Sequence, residues 1–405
     1  MTKNNLLVGV ISLGCDKNRV DTEHMLSYLK EAGYGFTSDP KCADIIIVNT
    51  CGFIKAARKE SMDSIIEMIG YRKKGRCKRL IVTGCMPQRD EWLNQMRKDL
   101  PEVDIFLGIN EYDKIVKIIE DSLANKNTKF VRKDKLKEIN FFGDRMLTTP
   151  SHFAYLKIAD GCNNYCSFCT IPYIRGKYRS RDLESLVDEA THLANIGAKE
   201  LILVAQDITK YGTDLYGKPS LVTLIRRLSN IKDLKWIRLL YCYPEDITDE
   251  LLNEIVTNKK VCKYLDIPLQ HASSKILKMM NRNVTREQQE ALLEKIKSKK
   301  TYIAVRTTFM IGFPGETEED FNEILDFIKK YPMQNVGFFA YSREEGTAAY
   351  NFPDQVDEDT KDRRLIKLIK AQKKIATELN KSQFVGKTLD VVYEGIDYEK
   401  QRFFG

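Results

Sequence analysis

No stretch of the 405-residue sequence is apolar for long enough to read as a membrane-crossing helix. Cysteine is sparse. Ten residues over this length cannot staple a disulfide scaffold, so those that cluster read as ligands in a reducing cytosol, and a cytoplasmic location is expected. Histidine is scarcer still, with four, and His152 and His192 do not complete a familiar zinc spacing. A leader peptide is also poorly supported: Leu6-Leu-Val-Gly-Val-Ile-Ser-Leu-Gly-Cys15 imitates a short hydrophobic segment ending in a lipidated cysteine, but only Lys3 flanks it. A buried first strand explains that run better. What the chain does have is a hydrophobic content of 43%, enough for two or three domains with sizeable cores, and a net charge of +8. The charge suits an anionic partner such as the ribosome or RNA, or no more than a solvated surface.

The densest chemistry is Cys162-Asn-Asn-Tyr-Cys166-Ser-Phe-Cys169, three thiols at C-x3-C-x2-C spacing. Iron–sulfur clusters normally take four Cys thiolates, and structural zinc four ligands. Three leave one metal corner open to a group that is not protein. The spacing, with Phe168 before the last cysteine, resembles the radical S-adenosylmethionine (SAM) signature, in which SAM occupies the open iron.

Upstream, a strand–loop–helix unit recurs. Leu6–Ile11 leads to Gly14-Cys15 and a helical pattern through Val20, Met25, Leu26 and Leu29. Asp44–Val48 leads to Asn49-Thr-Cys51-Gly52 and a helix carrying Ile65, Ile66 and Ile69. Arg79–Thr83 leads to Gly84-Cys85 and a helix after Pro87. A fourth unit, Val103–Leu107 with Glu111–Leu123, has no cysteine. Such alternation predicts a doubly wound parallel sheet, whose ligands bind outside the carboxyl ends of the strands. Cys15, Cys51 and Cys85 therefore converge on one sheet edge as a second three-thiolate site. Cys42, Cys77, Cys242 and Cys262 lack that placement and read as small buried apolar residues.

Residues 126–150 read as a linker between domains. Strands are then expected at Phe153–Ile158, Glu200–Ala205, Lys235–Leu240, Cys262–Ile267, Tyr302–Met310 and Val336–Tyr341, separated by helices such as Leu183–Asn195 and Ser273–Met280. Six β/α units suit a partial TIM-type (β/α)6 barrel with its chemistry at the strands' carboxyl ends. There, Phe168, Gln206, Asp266, Gln270, Arg306, Gly312 and Gly315 are candidates for a SAM pocket. Arg306 and Gln206 suit a carboxylate or ribose, or equally a salt bridge and a surface contact. Gly312 and Gly315 suit close approach of an adenosine, or a plain turn capped by Thr317. His271 reads as a proton relay or a hydrogen-bonded structural residue. Asp362–Lys381 is a basic amphipathic helix with Leu365, Ile366, Leu368, Ile369 and Ile375 as its apolar face. Lys387–Tyr393 reads as a strand.

Together, Leu13-Gly-Cys15-Asp-Lys-Asn18, Asn49-Thr-Cys51-Gly52, Thr83-Gly-Cys85, Asp160-Gly-Cys162 through Cys169, and Ile171-Pro-Tyr-Ile-Arg-Gly176 resemble the methylthiotransferase family of radical SAM enzymes. Ser12–Glu23, Asp160–Asn164, Tyr241–Pro244 and Leu265–His271 look more like the branch that modifies ribosomal protein S12 than the branch that modifies an adenosine beside the tRNA anticodon. Asp16 stands where the S12 branch often has proline. The resemblance implies a 4Fe-4S cluster on Cys162, Cys166 and Cys169 that binds SAM, and an auxiliary 4Fe-4S cluster on Cys15, Cys51 and Cys85. It implies no catalytic side chain beyond these cluster ligands. It further implies methylthiolation of an S12 aspartate, a partner in S12 or the small ribosomal subunit, and an electron donor such as flavodoxin or ferredoxin. Domains are expected at 1–125, 126–150 (linker), 151–382 (radical SAM) and 383–405, the last being the start of a truncated TRAM-like β segment. Two other readings stand beside it: a tRNA substrate, and a non-catalytic Fe–S or zinc module.

Overall fold

Runs such as Ile45-Ile-Ile-Val48 carry apolar side chains for both faces of a sheet, as a strand covered by helices on each side requires. The computed structural model describes residues 6–124, 130–132 and 145–404. They form two units: Met1–Thr148 with Ala159–Asn163 and Cys169–Arg181, and Thr149–Ile158 with Asn164–Phe168 and Asp182–Gly405.

In the first unit, β1 (Leu7–Ser12), β2 (Gly35–Phe36), β3 (Ile45–Thr50), β4 (Arg79–Gly84), β5 (Ile105–Leu107) and β6 (Phe130–Arg132) make one parallel sheet in the order β2-β1-β3-β4-β5-β6. Successive side chains take opposite faces. Ile45 and Ile47 pack with Met25 and Leu29 of helix Asp16–Glu31 and with Ile115, Ile118 and Ile119 of helix Ile115–Ala124. Ile46 and Val48 pack with Ile65, Met68 and Ile69 of helix Lys55–Lys74 and with Leu93 and Met96 of helix Asp90–Asp99. The sheet is thus doubly wound, as the alternating pattern predicts. Ile66 departs from expectation: it is exposed, because the buried stripe of its helix passes through Ile65, Met68 and Ile69 instead.

Polar groups fix the amino-terminal edge of this sheet. Buried Asp44 accepts from the Leu7 N–H at 3.0 Å and pairs with Lys78 at 3.0 Å and Arg76 at 3.2 Å. Burial alone would raise its carboxyl, but the Leu7 N–H, Lys78 and Arg76 outweigh that and hold it below the usual value. Two parts of the stretch expected as a linker are described, and both make contacts within the first unit. Phe130–Arg132 is the sixth strand, paired with β5. Further on, the Arg145 guanidinium lies 3.0 Å from the Glu23 carboxylate, and Thr148 donates to Glu23 through N–H and hydroxyl at 2.8 Å each. Phe141-Phe142 and the rest of that stretch lie outside the described residues.

In the second unit, strands Phe153–Lys157, Glu200–Val204 and Trp236–Leu239 form one parallel three-stranded sheet, and Tyr264–Asp266, Ala304–Ile311 and Asn335–Ala340 form another. An Ile237–Val261 bridge and a bond from the Cys242 N–H to the Asp266 carbonyl, 2.8 Å, link the two. All six expected β/α units are present, divided between two sheets. The long helix is Glu358–Gln383, and its packed stripe is Lys361, Arg364, Leu368 and Gln372. Ile366 and Ile369, expected on the apolar face, are exposed. Lys387–Tyr393 is not a strand. Its Leu389, Val391 and Tyr393 are exposed with no layer to cover them, and the antiparallel pair Gly395–Asp397 and Arg402–Phe404 forms instead. Cys77 and Cys242 are buried and Cys262 is half-buried, but Cys42 is exposed on a 3-10 turn, not a core residue.

Ile46 sits at the centre of the first sheet with no exposed surface, so Ile46→Ala should cost about 2–5 kcal/mol, read as a lower denaturant midpoint at unchanged slope.

Candidate functional site

Cys15, Cys51 and Cys85 follow β1, β3 and β4, neighbouring parallel strands, so one sheet edge carries all three. That edge includes the switch point where the chain leaves β1 for β2 on one side and β3 on the other. A Cβ added to Gly14 would lie 3.0 Å from Cys51 Sγ, so the turn bearing Cys15 rests against Cys51. Cys85 opens the short helix Cys85–Gln88. Before it, Gly84 has φ +93°, and any side chain there would strike the Thr50 carbonyl at 2.4 Å.

A polar lattice beneath the thiols holds these turns. The Asn18 amide donates to the Leu13 carbonyl at 2.7 Å and the Thr50 carbonyl at 3.3 Å. The Asn49 amide donates to the Asn18 carbonyl at 3.0 Å and the Thr22 hydroxyl at 2.8 Å. The Thr50 hydroxyl donates to the Thr83 carbonyl at 2.6 Å, and the Ser61 hydroxyl both accepts from the Cys51 N–H and donates to its carbonyl, at 3.0 Å each. The asparagines and threonines of the sequence motifs are thus the loops' internal partners.

Arg175, at the end of helix Ile171–Arg175, lies fully buried among them. Its guanidinium donates to Asp160 at 2.7 Å, to Asp21 at 3.1 Å from each terminal nitrogen, and to the Asn18 side-chain oxygen at 3.4 Å. One N–H also points to Cys85 Sγ at 3.9 Å. Burial opposes its charge, but Asp160 and Asp21 outweigh that and keep it protonated. Burial pushes the Cys85 thiol up to about 12 against the pull of Arg175, with Cys51 and Cys15 adding to the rise. Cys51 is raised by burial too, and by Cys15. Mutual influence of this kind places the three thiols within electrostatic reach of one another. Sequence reasoning quoted Arg175 only within a motif and passed over Asp21. The available signal was periodic: Asn18, Asp21 and Met25 share one helix face, so a charge sat where the pattern demanded an apolar residue.

Of the claw's residues, Cys162 and Cys169 belong to the first unit and Cys166 to the second. In the first, the Cys162 N–H donates to the Gly176 carbonyl at 3.1 Å, and Cys169 Sγ accepts from the Ile171 N–H at 3.4 Å. In the second, Cys166 Sγ accepts from Arg282 at 3.9 Å, and the Ser167 N–H donates to the Met280 carbonyl at 3.0 Å. Arg282 is buried, stacks on Tyr243 at 4.1 Å and lies 3.7 Å from Glu245. It too escaped sequence reasoning.

In the second unit, most of the candidate SAM-pocket residues have contacts within the protein itself. Phe168 meets Phe313 edge-on at 6.5 Å. Asp266 accepts from Arg306 at 2.6 Å and from the Tyr241 N–H at 3.0 Å, so these two charges neutralise each other. Gly312 has φ +70°, and a Cβ there would lie 2.3 Å from the Lys361 stem; at Gly315 it would lie 3.1 Å from Met279. Packing within the chain therefore demands glycine at 312. Gln206 is half-buried after strand Glu200–Val204. Gln270 takes φ +69°, and its buried side-chain oxygen has no hydrogen-bond partner among the described residues. His271 is fully buried. It accepts from the Ser273 N–H at Nδ1, 2.9 Å, so its proton sits on Nε2, facing Glu316 at 3.2 Å; Glu316 in turn accepts from Arg364 at 2.6 Å and from the Gly312 N–H at 2.8 Å. This makes His271 a structural tie between two loops.

Among the described residues, no three His, Cys, Asp or Glu side chains form a group that could hold a single metal ion, and no helix is long and apolar enough to cross a membrane. The six candidate cysteines are free thiols, the donor type iron–sulfur clusters take, and the unpartnered Gln270 oxygen fits a ligand carrying a donor.

Residues 156–328 match the Radical SAM superfamily, and residues 7–108 match Uncharacterized protein family UPF0004. A protein of Clostridium botulinum (strain Eklund 17B / Type B) named ribosomal protein uS12 methylthiotransferase RimO is 49% identical over 97% of this chain and 87% of its own length. The chain belongs to the RimO family of radical SAM methylthiotransferases. As a RimO-family protein it is an enzyme that transfers a methylthio group. RimO proteins of Clostridium tetani and Acetivibrio thermocellus are 47% and 46% identical, each over 98% of this chain and 88% of their own. Among solved structures, the apo form of the cobalamin-dependent SAM radical enzyme OxsB aligns at TM-score 0.57 and 14% identity, covering 91% of this chain and 56% of that one. The radical SAM methyltransferase TsrM from Kitasatospora setae, with cobalamin and a 4Fe-4S cluster bound, aligns at 0.52 and 15%, covering 86% and 77%. Both likenesses concern the fold.

Removing the guanidinium would leave Asp21 and Asp160 buried without their cation, so Arg175→Ala should destabilise the protein by about 3–5 kcal/mol, measured by denaturant unfolding. Asp207, buried after strand Glu200–Val204, accepts from Thr209 and from Asn164 at 3.2 Å, yet burial raises it to about 6. Its folded-state value lies above the unfolded one. Stability is therefore fully present below about pH 4 and falls as pH rises through about 6, by about 3 kcal/mol. Asp207→Asn should remove that slope from a pH series of unfolding curves.

Proposed function

We propose that this chain converts a specific aspartate of ribosomal protein S12 to its β-methylthio derivative, using two SAM equivalents and two 4Fe-4S clusters. The observation that carries the reading is similarity at 46–49% identity, over nearly the whole chain, to proteins named uS12 methylthiotransferase. Cys162, Cys166 and Cys169 are the proposed ligands of the SAM-binding cluster, and Cys15, Cys51 and Cys85 those of the auxiliary cluster. When bound, these groups supply a radical able to attack an unactivated C–H bond, together with the sulfur and methyl to be joined.

The chain's own residues carry the rest. Arg175 and Arg282 each point an N–H at one thiol of a triad, which favours the thiolate that ligation requires. The Asn18, Asn49, Thr50 and Ser61 contacts fix the strand-end turns so that the thiols need not be ordered at each turnover. The unpartnered Gln270 oxygen is the group we assign to a donor on SAM. The proposed division of labour is an auxiliary-site domain over residues 1–125, a linker over 126–150, a radical SAM domain over 151–382 and a substrate-holding segment over 383–405. A cytoplasmic enzyme served by flavodoxin or ferredoxin accords with free thiols and an oxygen-sensitive cofactor.

The test incubates anaerobically reconstituted protein with SAM, reductant, a sulfur source and S12, with tRNA offered in parallel, and maps products by mass spectrometry. A methylthio group on an S12 aspartate is expected; modification of tRNA alone would overturn the substrate assignment. Cys162→Ala should abolish 5′-deoxyadenosine formation. Cys51→Ala should retain it, lose methylthiolation and carry about half the iron.

A further inference from the structure

Helix Glu358–Gln383 is 26 residues long and buries Lys361, Arg364, Leu368 and Gln372, leaving the opposite face exposed. On that face stand Arg363, Lys367, Lys370, Lys374 and Lys381, at steps of 4, 3, 4 and 7 residues. At about 100° per residue these steps return to one side of the helix, and the stripe runs about 27 Å. Lys373 lies at its border. Lys370, Lys373, Lys374 and Lys381 have no ion-pair partner among the described residues, and Glu378 is the only carboxylate between Arg363 and Lys381. The buried cations are used otherwise: Arg364 pairs with Glu316 and Glu318, and Lys361 with Glu358. Within the stripe Lys367 lies over the Phe321 ring at 5.1 Å, whereas Lys370, Lys374 and Lys381 are exposed and stand apart from the packing that holds the helix. Ile366 and Ile369, 54% and 50% exposed, flank it.

We propose that this stripe is an interaction surface for the phosphodiester backbone of RNA. Like charges held in register repel one another, Glu378 offsetting only part of that repulsion beside Lys374 and Lys381, and they are relieved by a polyanion of uniform charge, which exchanges its condensed counterions for them. An acidic protein surface presents carboxylates singly and mixed with cations, and matches a stripe of five cations to one carboxylate less well. The choice of RNA rests on the S12 reading, since that substrate belongs to a ribonucleoprotein particle. The helix would dock the enzyme on ribosomal RNA beside its substrate.

The experiment measures binding of the full chain to in vitro transcribed small-subunit ribosomal RNA across a salt series, with polyglutamate as the acidic-polypeptide control. The variant is Lys370→Gln/Lys374→Gln/Lys381→Gln, with the triple Lys→Arg form as charge-preserving control. Each phosphate contact contributes about 0.7–0.9 to the slope of log affinity against log salt, so the Gln variant should lose about two to three from the slope and about 100-fold in affinity at ~0.1 M salt. The Arg form should retain both. An unchanged slope in the Gln variant, or equal binding to polyglutamate, overturns the proposal. Methylthiolation of free S12 is assayed separately. If free S12 is modified while the RNA slope is unchanged, only the docking surface fails; if RNA binds through the stripe but S12 is never modified, the substrate reading fails.

Discussion

The first unit depends on one buried cation. Arg175 brings its guanidinium to Asp21 in the first helix, to Asp160 just before the claw, to Asn18 and to Cys85, and all of these groups are shielded from water. A charge so placed costs several kcal/mol unless it is paired. Here two carboxylates answer it, and those carboxylates in turn need the arginine. The consequence is a mutual requirement between segments distant in sequence: the first helix, the turn into the third cysteine and the residues on either side of the claw hold their places together or not at all. Planar geometry matters as much as charge, because a lysine ammonium could not reach both carboxylates, an amide oxygen and a sulfur at once.

Most of the fold was legible in the sequence for a simple reason. Ile45 to Val48 must be covered on both faces, and only helices on each side of a parallel sheet do that. The same regularity places Cys15, Cys51 and Cys85 at equivalent strand ends. Where the reading failed, local pattern was too short or misleading. Phe130–Arg132 is three residues among polar neighbours, and becomes a strand only because β5 offers it an open edge. Lys387–Tyr393 alternates as a strand should, but it finds no sheet to join.

The site shows the same limit in another form. Sequence supplied residue types at strand ends but could not say which would be consumed by their own neighbours. Asp266 and Arg306 are a structural pair, and Glu316 is shared by His271, Arg364 and the Gly312 N–H. Gly312 avoids Lys361. Gln270 is left with a buried oxygen unanswered, a distinction available only once every partner has been counted. Arg175 and Arg282 escaped notice because arginine reads as surface by default, and only three-dimensional placement shows each beside a thiol.

The order of strands in the first sheet bears on how the holoenzyme is assembled. Cys15, Cys51 and Cys85 belong to consecutive β/α units, and no one unit presents more than one of these thiols. The three become neighbours only after β3 and β4 have docked beside β1, with the excursion through β2 completed. A zinc finger gathers its ligands from a short segment and can fold around its metal; this sheet must fold first and be loaded afterwards. On the proposed assignment of a cluster to this edge, its delivery is a late event in biogenesis, addressed to a finished scaffold.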